Sequence, residues 1–212
     1  MDYMKLMLST LTAVLTGLFA QLRFSVGPIP YTMQNAGVVM TGLLLSPKYS
    51  LISMVIYILL IALGLPMASG FRGGIPVLVG HTGGYILGFL PSAAIMSYLS
   101  RRYLRLRGID IYEIKLRDVV ALISISLMAT MPTYLLGFLV FAYYALGSNE
   151  LLSWARNITY SMGLCSLDIL AMLFIASVVI FVPQDIFMDS LIGIMLSKEL
   201  ANLLRSQGVK ID

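Results

Sequence analysis

Gly64-Leu-Pro-Met-Ala-Ser-Gly-Phe-Arg-Gly-Gly-Ile-Pro-Val-Leu-Val-Gly-His-Thr-Gly-Gly-Tyr-Ile-Leu-Gly88 breaks a chain that is otherwise close to continuous hydrocarbon. Eight of the 18 glycines fall in these 25 residues. In lipid an unsatisfied N–H or C=O costs several kcal/mol, so spanning backbone is helical, and irregular backbone survives only when buried in protein or lining a cavity. A glycine-rich interruption between two apolar segments therefore marks a place to look for a ligand.

Working outward, the flanking sequence sets the class. Hydrophobic residues make up 59% of the chain, charged residues 11%, and the mean hydropathy is +0.92. Both shares lie outside the usual range of a soluble domain. Charge-free runs at 24–47, 49–71, 73–100 and 119–149 are each long enough for a helix across about 30 Å of hydrocarbon. The chain reads as an all-α, polytopic membrane protein forming one integral domain over residues 1–212. Its first segment follows only Lys5 and has no small-residue cleavage site, which reads as a retained span rather than a signal peptide. The single Cys165 allows no intrachain disulfide and is expected to pack.

The net charge of +4 would suit nucleic acid, but its placement follows a membrane. Spans near 4–22, 31–47, 49–66, 78–99, 118–146 and 184–203 form a six-transmembrane-helix bundle with both termini cytoplasmic, in the cell (plasma) membrane. Eleven basic residues (Lys5, Lys48, Arg101, Arg102, Arg105, Arg107, Lys115, Arg117, Lys198, Arg205 and Lys210) then lie inside, and three (Arg23, Arg72 and Arg156) outside. That split obeys the positive-inside rule. The cluster from Arg101 to Arg107 reads as a topology anchor on lipid headgroups, or as a docking patch for a cytoplasmic partner. Residues 164–182 would pass as a seventh span, but a crossing there would put lysines or the arginine cluster outside. They are expected as an extra apolar segment on the outer side, separated from the last helix by Pro183.

Several chemistries lack their residues. There is no phosphate-loop motif, so this chain does not itself hydrolyse ATP. One His and one Cys make no zinc site of the usual composition. His81 has no nucleophile elbow beside it. The chain reads as a non-enzyme with no cofactor of its own.

Binding chemistry is better supplied. Gln34 and Asn35 enter the second span near the outer face, and an amide suits a neutral polar group such as a urea. Arg72 either snorkels to water or meets an anionic ligand group. Thr82, Gly83, Gly84 and Tyr85 open the fourth span, with the glycines allowing close approach to backbone and the tyrosine able to stack. Gly73 and Gly74 belong to the same loop. Asp185 and Asp189 share one helix face a turn apart, and ionisable groups at such depth read as functional. Two carboxylates could also form a proton relay, which leaves a proton-coupled secondary transporter as the alternative. In the first helix, Ala13 and Gly17 have the four-residue spacing that lets helices approach closely, within this chain or with a second membrane subunit.

These pieces together resemble the BioY family, the substrate-binding S components of energy-coupling-factor (ECF) biotin transporters. The resemblance is carried by Ala20-Gln21, Pro30-Tyr-Thr-Met-Gln34, Gly42-Leu-Leu-Leu45, Gly64-Leu-Pro66, Gly73-Gly74, Thr82-Gly-Gly-Tyr-Ile-Leu-Gly-Phe89, Tyr134-Leu-Leu-Gly137 and Pro183-Gln-Asp185. It implies a six-helix bundle that captures biotin from outside. It also implies a transmembrane coupling protein and two cytoplasmic ATPases that spend the ATP. By position it carries over Gln34, Gly73, Gly74, Thr82, Gly83, Gly84, Tyr85 and Asp185, and makes Ala13 and Gly17 resemble the family's docking site for the coupling protein. Three residues depart from the pattern: Met188 where a lysine follows the aspartate, His81 where proline is usual, and Gly17 for alanine. Arg72 is then the expected partner of the ligand's carboxylate.

Overall fold

Proline and glycine set many of the helix ends. The computed structural model describes residues 3–25, 27–164 and 166–208, so Cys165 and Lys210 lie outside the described residues. Helix α1 (Tyr3–Phe19) leads into a two-stranded antiparallel hairpin, β1 (Arg23–Ser25) and β2 (Pro30–Thr32), with Phe24 paired to Tyr31. Helix α2 (Gln34–Leu44) stops where Ser46 turns extended before Pro47, the first residue of α3 (Pro47–Ala62). A residue before proline avoids the helical region, and proline at a first turn forfeits no hydrogen bond. The glycine stretch follows, holding the single short helix α4 (Ile75–Val79). Helix α5 (Gly83–Arg107) ends at Gly108, whose left-handed φ of 63° closes the last turn onto Leu104 and Arg105 carbonyls.

The remaining elements depart from the expected spans. The expected span 118–146 is two helices, α6 (Leu116–Ala129) and α7 (Met131–Leu146), joined at Thr130 ahead of Pro132. Helix α8 (Asn149–Ser161) is capped by Ser148, and α9 (Ile169–Ser177) by Asp168, whose carboxylate accepts from Ala171 N–H at 2.6 Å. Pro183 does not break the chain as expected. The irregularity falls earlier, at Val178 (φ −128°, ψ −61°), and Pro183 sits in the first turn of α10 (Val182–Gln184), where it needs no N–H partner. A π-helical segment, Asp185–Ser190, then runs into α11 (Leu191–Ser206). The apolar stretch 164–182 is thus no separate flap, since Leu173 and Ala176 of α9 are fully buried against α7 and α8.

Among the described residues, two helical stretches are long and apolar enough to cross a membrane, Leu116–Leu146 with 31 residues and Ile169–Ser206 with 38. Tyr3–Phe19 and Pro47–Ala62 are shorter apolar helices. Helix α2 has only 11 residues, about 16 Å of rise, and nearly all of it is buried. It cannot span alone as the sequence suggested; it is enclosed by α1, α5 and α11.

Helix α5 is the hub, packed on α2, α3, α6 and α7. Polar side chains join helices inside the bundle: Thr12 to Ser53 at 2.9 Å, Ser92 to Thr133 at 2.9 Å, and Ser97 to the Leu45 carbonyl at 2.5 Å. Meanwhile Leu11, Val14, Leu18, Leu59, Leu135 and Leu139 face outward. Small hydroxyls inside and leucine outside is the arrangement expected of a lipid-facing bundle.

The basic residues gather at one end. Arg101 donates to the Leu44 carbonyl (3.4 Å), Lys198 to the Ile114 carbonyl (3.0 Å), and Arg205 lies 4.2 Å from the Tyr112 ring. Asp118 pairs with Arg107 at 3.4 Å, and Lys5 lies over Tyr49. Tyr85 and Arg101 stand sixteen positions apart on α5, about 24 Å along the helix, so the basic end and the Tyr85 end are opposite.

Candidate functional site

At the Tyr85 end a cavity of about 670 Å³, its open mouth included, lies between α2, α5, α7, the π-helical segment and the glycine loop. Its position follows from the loop. Gln21 at the end of α1 donates to the Pro66 and Ala68 carbonyls and accepts from Phe71 N–H at 2.8 Å, pinning the loop over the bundle. Tyr57 of α3 adds a hydrogen bond to the Met67 carbonyl at 3.1 Å.

The polar wall is organised around Asp185. Asn35 donates its amide to both oxygens of that carboxylate, at 2.9 and 3.1 Å, and the Tyr134 hydroxyl donates to Oδ2. Gln184 donates to the Thr32 carbonyl (2.8 Å) and to Asp189 Oδ2 (3.2 Å). Asp185 and Asp189 are 3% and 1% exposed, and no lysine, arginine or histidine forms an ion pair with either among the described residues. Buried charges are normally paired or bound to something. The π-helical segment widens the turn that carries both carboxylates, and such irregularities recur at functional sites.

Six buried side-chain atoms among the described residues have no hydrogen-bond partner, and four of them belong to residues of this wall: Asn35 Oδ1, Ser69 Oγ, Gln184 Oε1 and Asp189 Oδ1. Native interiors leave few such atoms, and each calls for a physical cause. Two of the four, the amide oxygens Asn35 Oδ1 and Gln184 Oε1, can only accept. The amide orientations are forced, because Asn35 and Gln184 aim their NH₂ groups at carboxylate and carbonyl oxygens. This wall therefore suits a group rich in N–H donors.

Six of the ten expected residues line the cavity: Gln34, Asn35, Arg72, Thr82, Tyr85 and Asp185. Two of these have their polar atoms already engaged. Gln34 donates to the Tyr57 hydroxyl at 2.6 Å and accepts from Thr32, while the Tyr85 hydroxyl donates to the Ser177 carbonyl at 2.6 Å, leaving its ring as wall. Arg72 donates from Nε to the Ser69 carbonyl at 3.0 Å, which holds its guanidinium at the wall.

The four glycines are not in the lining. A Cβ on Gly73 would stand 2.2 Å from the Leu65 carbonyl oxygen, and Gly74 has φ of 92°, so both serve the fold of the loop. A Cβ on Gly83 would meet the Leu78 carbonyl at 1.9 Å, and one on Gly84 the Leu136 carbonyl at 2.2 Å. Their missing side chains are filled by this chain's backbone, not by a cavity. Ala13 and Gly17 likewise face inward: Ala13 is 0% exposed, and a Cβ on Gly17 would sit 2.3 Å from Met67 Cε. Neither offers a docking surface.

Sequence reasoning named but did not assign three wall residues: Tyr134, Gln184 and Asp189. The first two stand in the motifs that carry the resemblance, and no local pattern shows that Tyr134 meets Asp185 or that Gln184 meets Asp189. His81 Nε2 lies 3.1 Å from the Pro28 carbonyl and ties the loop to the hairpin. Met188 is 37% exposed and absent from the wall, so the position where the family has its lysine does not face this cavity. Among the described residues no group of three or more His, Cys, Asp or Glu could hold a metal ion.

The BioY family model matches residues 1–205. The chain belongs to the BioY family. A BioY relative in Pyrococcus horikoshii, named a probable biotin transporter, is 44% identical over 98 residues, covering 46% of this chain and 60% of that protein. A second, the biotin transporter BioY of Rhizobium etli, is 37% identical over 105 residues, covering 45% of this chain and 56% of its own length. The alignments thus span somewhat over half the length of these two curated relatives. The fold matches a crystal structure of the S-component for biotin from an ECF-type ABC transporter, with a TM-score of 0.68 at 19% identity over 95% of this chain and 92% of that one. The chain thus shares the overall fold of that S-component over nearly all of its length.

Proposed function

We propose that this BioY protein is the biotin-binding S component of a vitamin uptake transporter, a binding subunit rather than an enzyme. The observation that carries the reading is the convergence of four unpartnered buried polar atoms on one cavity inside an S-component fold. A ureido ring brings two N–H donors and an apolar bicycle. The acceptors Asn35 Oδ1, Gln184 Oε1 and Asp189 Oδ1 complement the donors, and Phe89, Ile86 and Phe181 supply the apolar wall. Arg72 takes the carboxylate in place of the lysine that Met188 replaces.

In this reading the chain is a multi-pass protein of the plasma membrane, with both termini and the basic end in the cytoplasm and the cavity opening outward. Energy comes from partners, a transmembrane coupling protein and two cytoplasmic ATPases, because the chain carries no phosphate loop of its own. The coupling protein docks on the exposed face of α1, where Met7, Leu11, Val14 and Leu18 are outside, since Ala13 and Gly17 are covered. Equilibrium binding of labelled biotin to the purified chain tests the reading. Saturable binding at micromolar concentration or tighter is expected, and no binding of biotin or a close analogue overturns it.

The buried Asp185–Asp189 pair favours one second reading, proton-coupled uptake by the chain alone. Uptake into vesicles holding only this chain, collapsing with the proton gradient, would establish it. Uptake that needs the coupling protein and ATPases would exclude it.

A further inference from the structure

A second cavity, about 890 Å³ with its open mouth, lies at the basic end of α5. Its wall carries Arg101 and Arg105, one turn apart, and the aliphatic side chains of Leu43, Leu104 and Ile109. Arg101 is held in place: Nε lies 3.3 Å from Ser97 Oγ and Nη2 3.4 Å from the Leu44 carbonyl. These bonds are to neutral atoms, so its charge is unmatched. Arg105 sits within Coulombic reach of it, and the two positive charges repel. Among the described residues neither guanidinium has a carboxylate within ion-pair distance; the ion pairs at this end are those of Asp118 with Arg107 and Arg117.

One acidic residue shares the wall. Asp110 accepts the Tyr112 hydroxyl at 2.5 Å and sits in a capping turn in which Glu113 accepts from its backbone N–H at 3.1 Å. It pairs with neither arginine, and its charge sets a limit. A singly charged phosphodiester fits beside it better than a doubly charged phosphate monoester.

We infer that this cavity binds the phosphate of a singly charged anionic phospholipid. Two guanidiniums one turn apart match phosphate oxygens through charge-assisted hydrogen bonds. The aliphatic wall would be wasted on free phosphate but suits the glycerol backbone and the first acyl carbons. On the neighbouring face of α5, Tyr98 and Leu106 are exposed on either side of Arg102 and offer acyl chains apolar contact beside a further positive charge. Basic pockets between helices at a membrane face are known binders of anionic headgroups. The site is independent of the vitamin cavity at the other end of α5.

The test is native mass spectrometry of the full purified chain in neutral detergent, with dioleoylphosphatidylglycerol, dioleoylphosphatidylcholine and inorganic phosphate offered in turn. Retained phosphatidylglycerol, at least about tenfold preferred over phosphatidylcholine, is expected, falling about tenfold in Arg105→Gln. Biotin binding by the same Arg105→Gln preparation serves as the folding control and is expected to be unchanged. Arg101→Gln should weaken the lipid too, but that variant also loses the Leu44 and Ser97 contacts, so Arg105→Gln decides. Equal retention of the two lipids, or unchanged preference in Arg105→Gln, overturns the proposal. Displacement of the lipid by millimolar inorganic phosphate would reassign the cavity to a soluble anion. That result too overturns the lipid assignment.

Discussion

At the N-terminal end of α5 the bundle closes around carboxylate and amide oxygens that lack donors; at its C-terminal end it closes around guanidiniums that lack anions. The two cavities are built by the same helix and have opposite needs. The acidic one is partly covered by a pinned loop, and its polar atoms are held by hydrogen bonds within the wall. The basic one is open and apolar on one side. The difference teaches that one bundle can separate a specific small-molecule site from a membrane-facing site by about the length of one helix. Neither end requires the other to be occupied.

This contrast can be broken by mutation. The largest effect is expected from Asp185→Ala, which removes the acceptor shared by Asn35 and Tyr134 and leaves both donors unpaired. Biotin affinity measured by filter binding should fall by at least about 100-fold, since each hydrogen bond to a charged group is worth about 1.5–3 kcal/mol. A variant that binds normally would remove the acidic end from the site. Next comes Arg72→Ala, expected to weaken biotin by about tenfold to fiftyfold while leaving biotinamide nearly untouched, because only the acid needs the guanidinium. Equal losses for acid and amide would show that Arg72 acts on the loop and not on a carboxylate.

A packing variant tests whether the glycines belong to the frame. Gly84→Ala would push a methyl group against the Leu136 carbonyl, and overpacking of this kind costs about 1–3 kcal/mol. Thermal unfolding in detergent should therefore shift downward. A stable protein that has lost biotin binding would instead return Gly84 to the cavity wall. The smallest expected effect is at the other end: Arg105→Gln should leave biotin affinity unchanged within about twofold, and a larger change would couple the two ends.

Much of the frame was legible. The third expected span, 49–66, falls largely on α3, whereas the fourth, 78–99, stops short of the end of α5 at Arg107, where Gly108 makes the left-handed turn. The clustering of Arg101, Arg102, Arg105, Lys115, Arg117 and Lys198 at one end was also readable, because charge placement follows the membrane. Pro183 misled, since a proline in the first turn of a helical segment breaks nothing. The eleven-residue α2 misled too, because apolar composition alone does not separate a helix that spans from one that is enclosed.

Of the expected site residues, those with unusual chemistry line the cavity and the glycines pack against backbone outside its lining. Asp185, Asn35 and Arg72 stand out in any apolar segment by charge or polarity. Gly73, Gly74, Gly83 and Gly84 stand out equally, yet glycine marks any close approach, and here the approach is by Leu65, Leu78 and Leu136 backbone. Tyr134 and Gln184 went unassigned because their roles depend on partners brought close by the fold, Asp185 for Tyr134 and the Thr32 carbonyl and Asp189 for Gln184. Only tertiary structure brings those together.

The measurement that bears most directly on the central claim is equilibrium binding of labelled biotin to the purified chain, run side by side with Asp185→Ala. Saturable binding by the native sequence, lost in the variant while its helical circular dichroism is retained, is the result expected. A native chain that folds and binds no biotin, or an Asp185→Ala chain that binds it as tightly, would contradict the claim that the acidic cavity is the vitamin site.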